Sequence, residues 1–127
     1  MADFRYQVEK HLIIVPVTLH GPNGAMDADF ILDTGAAHTI IDHSLASAIG
    51  YSASDATGHS KVRSVVGEER GYRVKLAHID ALGKSFESFE VACHDLMEQD
   101  VQGLLGMTFL EQFKFCIDPE KLIISVK

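Results

Sequence analysis

The sequence has 127 residues, which suits one domain with a single hydrophobic core, and we expect no second domain. Its hydrophobic fraction of 46% and charged fraction of 23% are those of an ordinary globular protein, which argues against a disordered chain. The formal net charge is −7, and the 11 Lys and Arg residues are scattered along the chain, so nucleic acid is not an expected partner.

The N-terminal segment lacks the pattern of a signal peptide. Its apolar run, residues 12–17, follows several charged residues, and no small-residue cleavage site comes after it. No run in the chain has the length needed to cross a bilayer, so no membrane partner is expected. Cys93 and Cys116 lie in strand-like segments without CxxC spacing, which favours reduced, buried thiols over a disulfide or a metal site. We therefore predict a cytoplasmic protein.

The first half of the chain has the pattern of β-strands followed by a short helix. A long extended run leads into Gly21-Pro22-Asn23-Gly24, which is a strong turn signal. Further on, a segment rich in Ala, Leu and Ser ends at Gly50, as a helix with a C-terminal glycine would. The predicted elements are a long extended run within residues 5–20, strands over residues 25–32 and 39–42, and a helix over residues 43–49.

The second half predicts more antiparallel sheet. Residues 61–76 have the symmetrical pattern of a hairpin, with an exposed tip at residues 67–71. Met107, Leu110 and Phe113 stand at helical spacing, so a short helix is expected to begin near Gly106. The remaining predicted strands cover residues 77–82, 85–92, 114–117 and 122–126.

The most informative stretch runs from Phe30 to Ile41 and reads FILDTGAAHTII. Apolar runs stand on both sides of Asp33, which favours burial of this part of the chain. A buried ionised carboxylate is costly unless it is paired or neutralised, so Asp33 needs a compensating arrangement. It is either a loop aspartate whose side chain caps its own turn or a functional carboxylate.

Three features together resemble the retroviral-type (retropepsin-like) aspartic protease family. They are the run Ile31-Leu32-Asp33-Thr34-Gly35-Ala36, the hairpin over residues 61–76, and the motif Gly103-Leu104-Leu105-Gly106 before a short helix. Their order matches that of the family over nearly the whole chain. The resemblance implies an all-β fold, in which residues 1–127 form a single acid-protease domain. This would be a closed β-barrel subunit with a flap hairpin and one or two short helices.

Members of this family hydrolyse peptide bonds with two aspartates that hold a water molecule between them, each supplied by one Asp-Thr-Gly loop. This sequence contains one such loop. The resemblance therefore implies a homodimer, in which Asp33 of each chain meets its copy at a two-fold axis. It would act as an aspartic endopeptidase on an extended peptide or protein substrate. Because two close carboxylates would share one proton, one could act as base and the other as acid, without a metal or another cofactor.

The resemblance also implies roles for individual residues. Asp33 would be catalytic, Thr34 would bond across the dimer through its hydroxyl, and Gly35 would accept the substrate backbone. The residues expected to contact substrate are Ala36 and Ala37 of the loop, Val65, Val66 and Gly67 of the flap, and Leu105 of the later motif. The termini, roughly residues 4–15 and 122–126, are expected to pair between subunits as in retroviral relatives.

Other chemistries have less support in the sequence. His38, Asp42 and His43 are close together, but no zinc-ligand spacing is present, so no metal site is predicted. There is no Gly-x-Ser-x-Gly motif, and Cys93 and His94 would point to opposite faces of a strand, so nucleophilic catalysis is not predicted either.

One feature departs from the retroviral pattern. The predicted flap tip carries Glu68, Glu69 and Arg70, whereas retroviral tips are glycine-rich and apolar. This difference leaves an alternative function open, namely a dimerisation or peptide-binding module that keeps the protease fold without catalysis.

Overall fold

The computed structural model describes residues 1–64, 67–96 and 101–127, with the backbone alone for residues 63 and 64. Within these residues the chain is mostly β-structure, with two short α-helices and a 3₁₀ turn at Ala53–Asp55. None of these helices has the length and apolar character needed to cross a membrane. The helices are α1 (His43–Ala48) and α2 (Met107–Leu110), and the strands are β1 (Ala2–Arg5), β2 (Gln7–Glu9), β3 (Leu12–Gly21), β4 (Gly24–Leu32), β5 (Ile40–Asp42), β6 (Gly58–Ser64), β7 (Gly67–Ala81), β8 (Lys84–His94), β9 (Gly103–Leu105), β10 (Phe115–Asp118) and β11 (Ile123–Val126).

Six of these strands form a closed ring of pairings around the core. Their order is β3-β4-β9-β5-β8-β7, and β7 pairs back onto β3. Strands β2 and β6 extend the sheet beyond the ring, and a separate small sheet has the order β1-β11-β10. The predicted all-β class with one or two short helices is confirmed, and the ring corresponds to the expected barrel.

Alternation along β3 buries one face of this strand. Val15, Val17 and Leu19 of β3 are almost fully buried, whereas Pro16 between them is exposed. Phe30 of β4 belongs to the same core cluster. Burying a side chain of this size contributes about 1.5–3 kcal/mol, so apolar burial is the main force that holds the ring together.

Both predicted helices are present. Asp42 caps the N-terminus of α1, and Gly50 follows its C-terminus with a φ of +106°, which a glycine adopts without strain. Helix α2 ends at Leu110, three residues before its predicted end at Phe113. Phe113 still packs edge-on against Phe109, with ring centroids 5.6 Å apart.

The predicted turn at residues 21–24 is confirmed, and the extended run expected within residues 5–20 is present as β3, but the break before β3 was not expected. The chain reverses at Lys10 and His11, and this turn divides the run into β2 and β3. Both turn residues have positive φ, 51° and 67°, a conformation that Asn or Gly usually adopts. Because neither residue type occurs there, the sequence contains no signal for this turn.

The hairpin of β6 and β7 is confirmed, but its predicted tip at residues 67–71 is wrong. Pairing between the two strands ends with Ser64 opposite Gly67. Residues 68–70 therefore lie within β7. A hairpin pattern that alternates on both arms does not fix the register by itself, which is why the tip was misplaced. Val65 and Val66, which we expected to contact substrate, lie outside the described residues.

The two chain termini pair with each other within one chain. Strand β11 lies between β1 and β10, so Ile124 has Phe4 opposite it on one side and Ile117 on the other. The expected pairing of these termini between subunits is therefore not found. Both edges of β11 are already occupied.

The two cysteines are free thiols in different environments. Cys93 is buried in β8, and burial raises its pKa to about 12, which leaves it an unreactive thiol at neutral pH. Cys116 is exposed on β10, a strand at the edge of the small sheet. The prediction of a buried thiol is thus right for Cys93 and wrong for Cys116.

A cluster of polar side chains lies where β3 meets β7 and closes the ring. Asp80 Oδ2 is 2.8 Å from His20 Nε2, and Asp80 Oδ1 is 3.2 Å from His78 Nε2. The hydroxyl of Ser85 also donates to Asp80. The hydrogen bond from Ser85 and then that from His20 lower the pKa of Asp80, so this carboxylate stabilises the fold when it is ionised.

We expect Asp80→Asn to lower the free energy of unfolding by less than about 1 kcal/mol, because the Asp80 and His20 side chains are both more than a third exposed. The folded pKa of Asp80 lies below its ordinary value of 3.8. Its contribution is therefore present above that value and is lost as the pH falls through the folded pKa. Urea unfolding of both proteins at about pH 5 and about pH 3 should show the difference shrinking at the lower pH. A difference that grows on acidification would contradict this assignment.

Candidate active site

The loop between β4 and β5, residues 33–39, begins with Asp33, whose position is fixed by backbone hydrogen bonds. Its N–H donates to the carbonyl of Leu105 at 3.0 Å, and its carbonyl accepts from the N–H of Ala36 at 3.2 Å. Its side-chain Oδ1 accepts from the N–H of Gly35 at 2.9 Å. The carboxylate is therefore aimed by its own loop.

The start of α2 holds the rest of the loop. The N–H groups of Met107 and Thr108, which have no partner within the helix, donate to the carbonyls of Ala36 at 2.8 Å and Ala37 at 3.0 Å. The two segments come so close at Gly106 that a Cβ there would collide with the carbonyl oxygens of His38 and Ala36. Glycine is required at this position because of that close backbone approach.

A pair of threonine hydroxyls locks the loop to α2 from inside. Thr39 is fully buried, and its Oγ1 accepts from the N–H of Gly106 at 3.2 Å and from the hydroxyl of Thr108 at 3.1 Å. In return, the N–H of Thr39 donates to Thr108 Oγ1 at 3.0 Å. Every polar group in this exchange is paired, as burial requires.

A cleft of about 380 Å³ opens above the loop. One wall is the loop itself, and the opposite wall is the arm of β6. Among the residues that line this cleft, Asp33 is the only one with a carboxylate. The lining residues are Asp33, Gly35, Ala36, Ala37, His38, Ile40, Ser60, Lys61, Val62, Ala92 and Leu104.

Four of the predicted site residues come together at this cleft, namely Asp33, Gly35, Ala36 and Ala37. Thr34 follows Asp33, but its side chain is exposed and does not line the cleft. Gly67 is not among the lining residues either.

Two expectations about this site need correction. Leu105 is fully buried in the core, so its side chain does not reach the cleft, and its carbonyl serves the site by holding Asp33. The expected burial of Asp33 is also not found in the single chain, because this residue lies at an open cleft and remains partly exposed.

Sequence reasoning placed Lys61 and Val62 in the flap hairpin but named neither of them, nor Ser60 just before it, as a residue of the site. All three lie in the wall of the cleft that β6 provides. Ser60 precedes the hairpin pattern, in a polar stretch without a strand signal. Ser60 Oγ is hydrogen-bonded to Nε2 of His94, 2.9 Å away. Burial lowers the pKa of His94, although the nearby Glu69 acts in the opposite direction, so its imidazole is neutral at neutral pH.

Asp42, His43 and Asp95 place ligand-type atoms within 4.8 Å of one another. Both oxygens of Asp42 already accept backbone hydrogen bonds, from Leu96 at 2.8 Å and from Ser44 at 3.1 Å. Burial tends to raise the pKa of Asp42, but the bonds from Ser44 and Leu96 outweigh it and lower that pKa. These contacts give Asp42 a structural role as the cap of α1, and we assign no metal to the group.

We expect Thr39→Val to lower the free energy of unfolding by about 1–3 kcal/mol, because it leaves the buried N–H of Gly106 without an acceptor. Urea unfolding monitored by circular dichroism measures the change. Thr57→Val is the matched control, since the Thr57 hydroxyl is exposed and its contacts are long, 3.3 and 3.4 Å. Equal effects of the two substitutions would contradict the role of Thr39.

Comparison with known proteins bears on this arrangement. A comparison with curated proteins finds no match. Among solved structures, the chain is similar to a retropepsin-like aspartic protease from Rickettsia conorii, with a TM-score of 0.74 and 23% identity over 98% of this chain and 99% of that one. It is also similar to EIAV protease complexed with the inhibitor HBY-793, with a TM-score of 0.64 and 18% identity over 86% of this chain and 93% of that one.

At these identities the likeness establishes the fold, which is retropepsin-like. The family description "aspartyl protease" matches residues 15–109, from β3 to α2. This match includes both the Asp33 loop and the segment that holds it. The chain therefore belongs to the aspartyl protease family.

Proposed function

We propose that the protein is an aspartic endopeptidase that works as a homodimer, with one Asp33 from each chain. The observation that carries this proposal is the carboxylate of Asp33, which is aimed by the N–H of Gly35 and lies in a cleft between its loop and the β6 arm. An extended peptide would lie in this cleft, with its scissile bond over the two carboxylates.

The chemistry follows from placing two like charges close together. Two carboxylates a few ångströms apart cannot both ionise comfortably, so the pair shares one proton and titrates as a unit. The ionised member takes a proton from a water molecule, which attacks the scissile carbonyl, and the protonated member donates to the carbonyl oxygen. The bond between Asp33 Oδ1 and the N–H of Gly35 keeps the carboxylate oriented during this exchange.

The requirement for two chains follows from the carboxylate count at the cleft. The sequence has one Asp-Thr-Gly run, and no other residue that lines the described cleft carries a carboxylate. A second copy related by a two-fold axis supplies the missing acid. The exposed side chain of Thr34, next to Asp33, is then available to bond across the two-fold axis.

We expect Asp33→Asn to reduce kcat/KM for peptide cleavage by at least about 100-fold, because it removes the group that exchanges protons with the water and the carbonyl. A peptide library with products identified by mass spectrometry provides the assay. The matched control is Asp29→Asn, which alters an exposed carboxylate on β4, the strand that leads into the loop, away from the cleft. Cleavage that survives Asp33→Asn would sink the proposal. Asp33-independent peptide binding without turnover would favour a non-catalytic module instead.

Mixing subunits tests whether both copies of Asp33 act in one site. Wild-type and Asp33→Asn chains, refolded together in equal amounts, should give about a quarter of the activity of the same total amount of wild type. This is expected because only one dimer in four then carries two intact loops. If each chain were active alone, about half would remain. A value near one half would rule out the shared site.

A further inference from the structure

Ser60, Gly71 and His94 lie side by side across three neighbouring strands, and Ser60 lines the cleft. Ser60 is opposite Gly71 in the pairing of β6 with β7. Tyr72 is opposite Cys93 in the pairing of β7 with β8, so the next position places His94 beside Gly71. The side chains of Ser60 and His94 meet above this glycine, with Oγ and Nε2 2.9 Å apart.

The contact depends on the missing side chain at Gly71. A Cβ there would lie 2.7 and 2.8 Å from Cε1 and Nδ1 of the His94 ring, and closer still to the carbonyl oxygen of Cys93. Two neighbours therefore exclude a side chain at this position, namely the backbone of β8 at Cys93 and the ring of His94. With a glycine in β7, the ring of His94 in β8 can reach Ser60 in β6.

Within the described part of the chain, one nitrogen of the His94 imidazole has a hydrogen-bond partner and the other has none. The residue is only 3% exposed, and its Nδ1 has no hydrogen-bond partner among the described residues. A neutral imidazole carries one proton, and a buried N–H is rarely left without an acceptor. The proton therefore belongs on Nε2, which donates to Ser60 Oγ.

This assignment sets the direction of the Ser60 hydroxyl. Its oxygen accepts from His94, so its own proton is free to be donated elsewhere. Ser60 lines the same cleft as Asp33. A peptide that lies along this cleft, as proposed above, would bring its backbone carbonyls to the wall that contains Ser60.

We propose that the hydroxyl of Ser60 donates a hydrogen bond to a backbone carbonyl of the peptide substrate, and that His94, admitted by Gly71, is the positioning residue that directs this hydroxyl. The inference rests on the proposed endopeptidase function and adds a recognition element outside the Asp-Thr-Gly loop. Because a backbone carbonyl is present in every peptide, this contact selects an extended main chain at a fixed distance from the scissile bond, whatever the side chains.

The test compares steady-state kinetics of wild type, Ser60→Ala, Gly71→Ala and the double variant on one cleaved peptide. Ser60→Ala should raise KM by about 3- to 10-fold and leave kcat nearly unchanged, as expected for one neutral hydrogen bond made equally in the ground and transition states. Gly71→Ala should raise KM by a similar amount or less, because it displaces the ring that directs the hydroxyl. The double variant should be no worse than Ser60→Ala alone.

The matched control is Ser85→Ala, which removes another serine hydroxyl bonded to a histidine, His78, far from the cleft. It should not change KM. Ser60→Thr keeps the hydroxyl and should restore most of the wild-type KM. Thermal unfolding of each variant identifies any loss of fold, and ¹⁵N spectra of the His94 ring report the tautomer without requiring activity.

A substrate series supplies the readout that a merely structural role would not produce. In this series, one backbone carbonyl at a time is replaced by a methylene. One of these peptides should bind to wild type more weakly than the unmodified peptide does. Ser60→Ala should bind that peptide and the unmodified peptide equally well. Asp33-dependent cleavage with no change in KM for folded Ser60→Ala would overturn this inference and leave the proposed function standing. A proton found on Nδ1 of His94 would also overturn it. Absence of Asp33-dependent cleavage by wild type would overturn both.

Discussion

The backbone bonds between residues 33–39 and the start of α2 are the constraint on which the site depends. The loop leaves the barrel at Asp33 and returns at β5, and between these points its carbonyls are held by the first N–H groups of a helix only four residues long. Those groups are donors that a helix cannot satisfy internally, so the same contact completes the helix and fixes the loop. A flexible loop could not aim a carboxylate, and this one is tied to a buried part of the barrel.

The position of Asp33 is compatible with both interpretations of this residue, as a turn-capping aspartate and as a functional carboxylate. A structural aspartate would cap its own turn, and the bond from the N–H of Gly35 is that kind of cap. The same bond would orient a catalytic carboxylate, so local geometry alone does not separate the two. The cleft and the hydrogen bonds from the start of α2 to the loop favour the functional interpretation, because a simple turn needs neither of them.

The parts that the sequence predicted well are those in which one local pattern has one structural meaning. Alternating residues predicted most of the strands. The Asp-Thr-Gly run and the later Gly103–Gly106 motif marked the two segments that are hydrogen-bonded to each other at the cleft. The β6–β7 register was misplaced because alternation repeats every two residues and does not choose among registers. The turn at Lys10 and His11 was missed because the two-residue connection that pairs Glu9 with Leu12 requires positive φ at residues that do not prefer it.

Other features were beyond local reasoning because they join distant parts of the chain. Thr39 and Thr108 are 69 residues apart, and Ser60 and His94 are 34 apart, so neither pair forms a motif in the sequence. They become neighbours only in the folded chain. The glycines are the only local sign of these contacts in the sequence, since Gly71 and Gly106 lie where two segments approach too closely for a side chain.

The position of β11 between β1 and β10 has a consequence for assembly. Both edges of β11 are paired with strands of the same chain, so a second subunit cannot bind by adding a strand to β11. Under the proposed function, contact between two chains at residues 33–39 would involve the exposed residues Thr34, Gly35 and Ala37, which are small or polar and would bury little apolar surface. A peptide held by both chains would contribute binding energy to their association by mass action. Under the proposed function, substrate thus becomes a component of the assembly, and the population of complete sites rises with the supply of what they cleave.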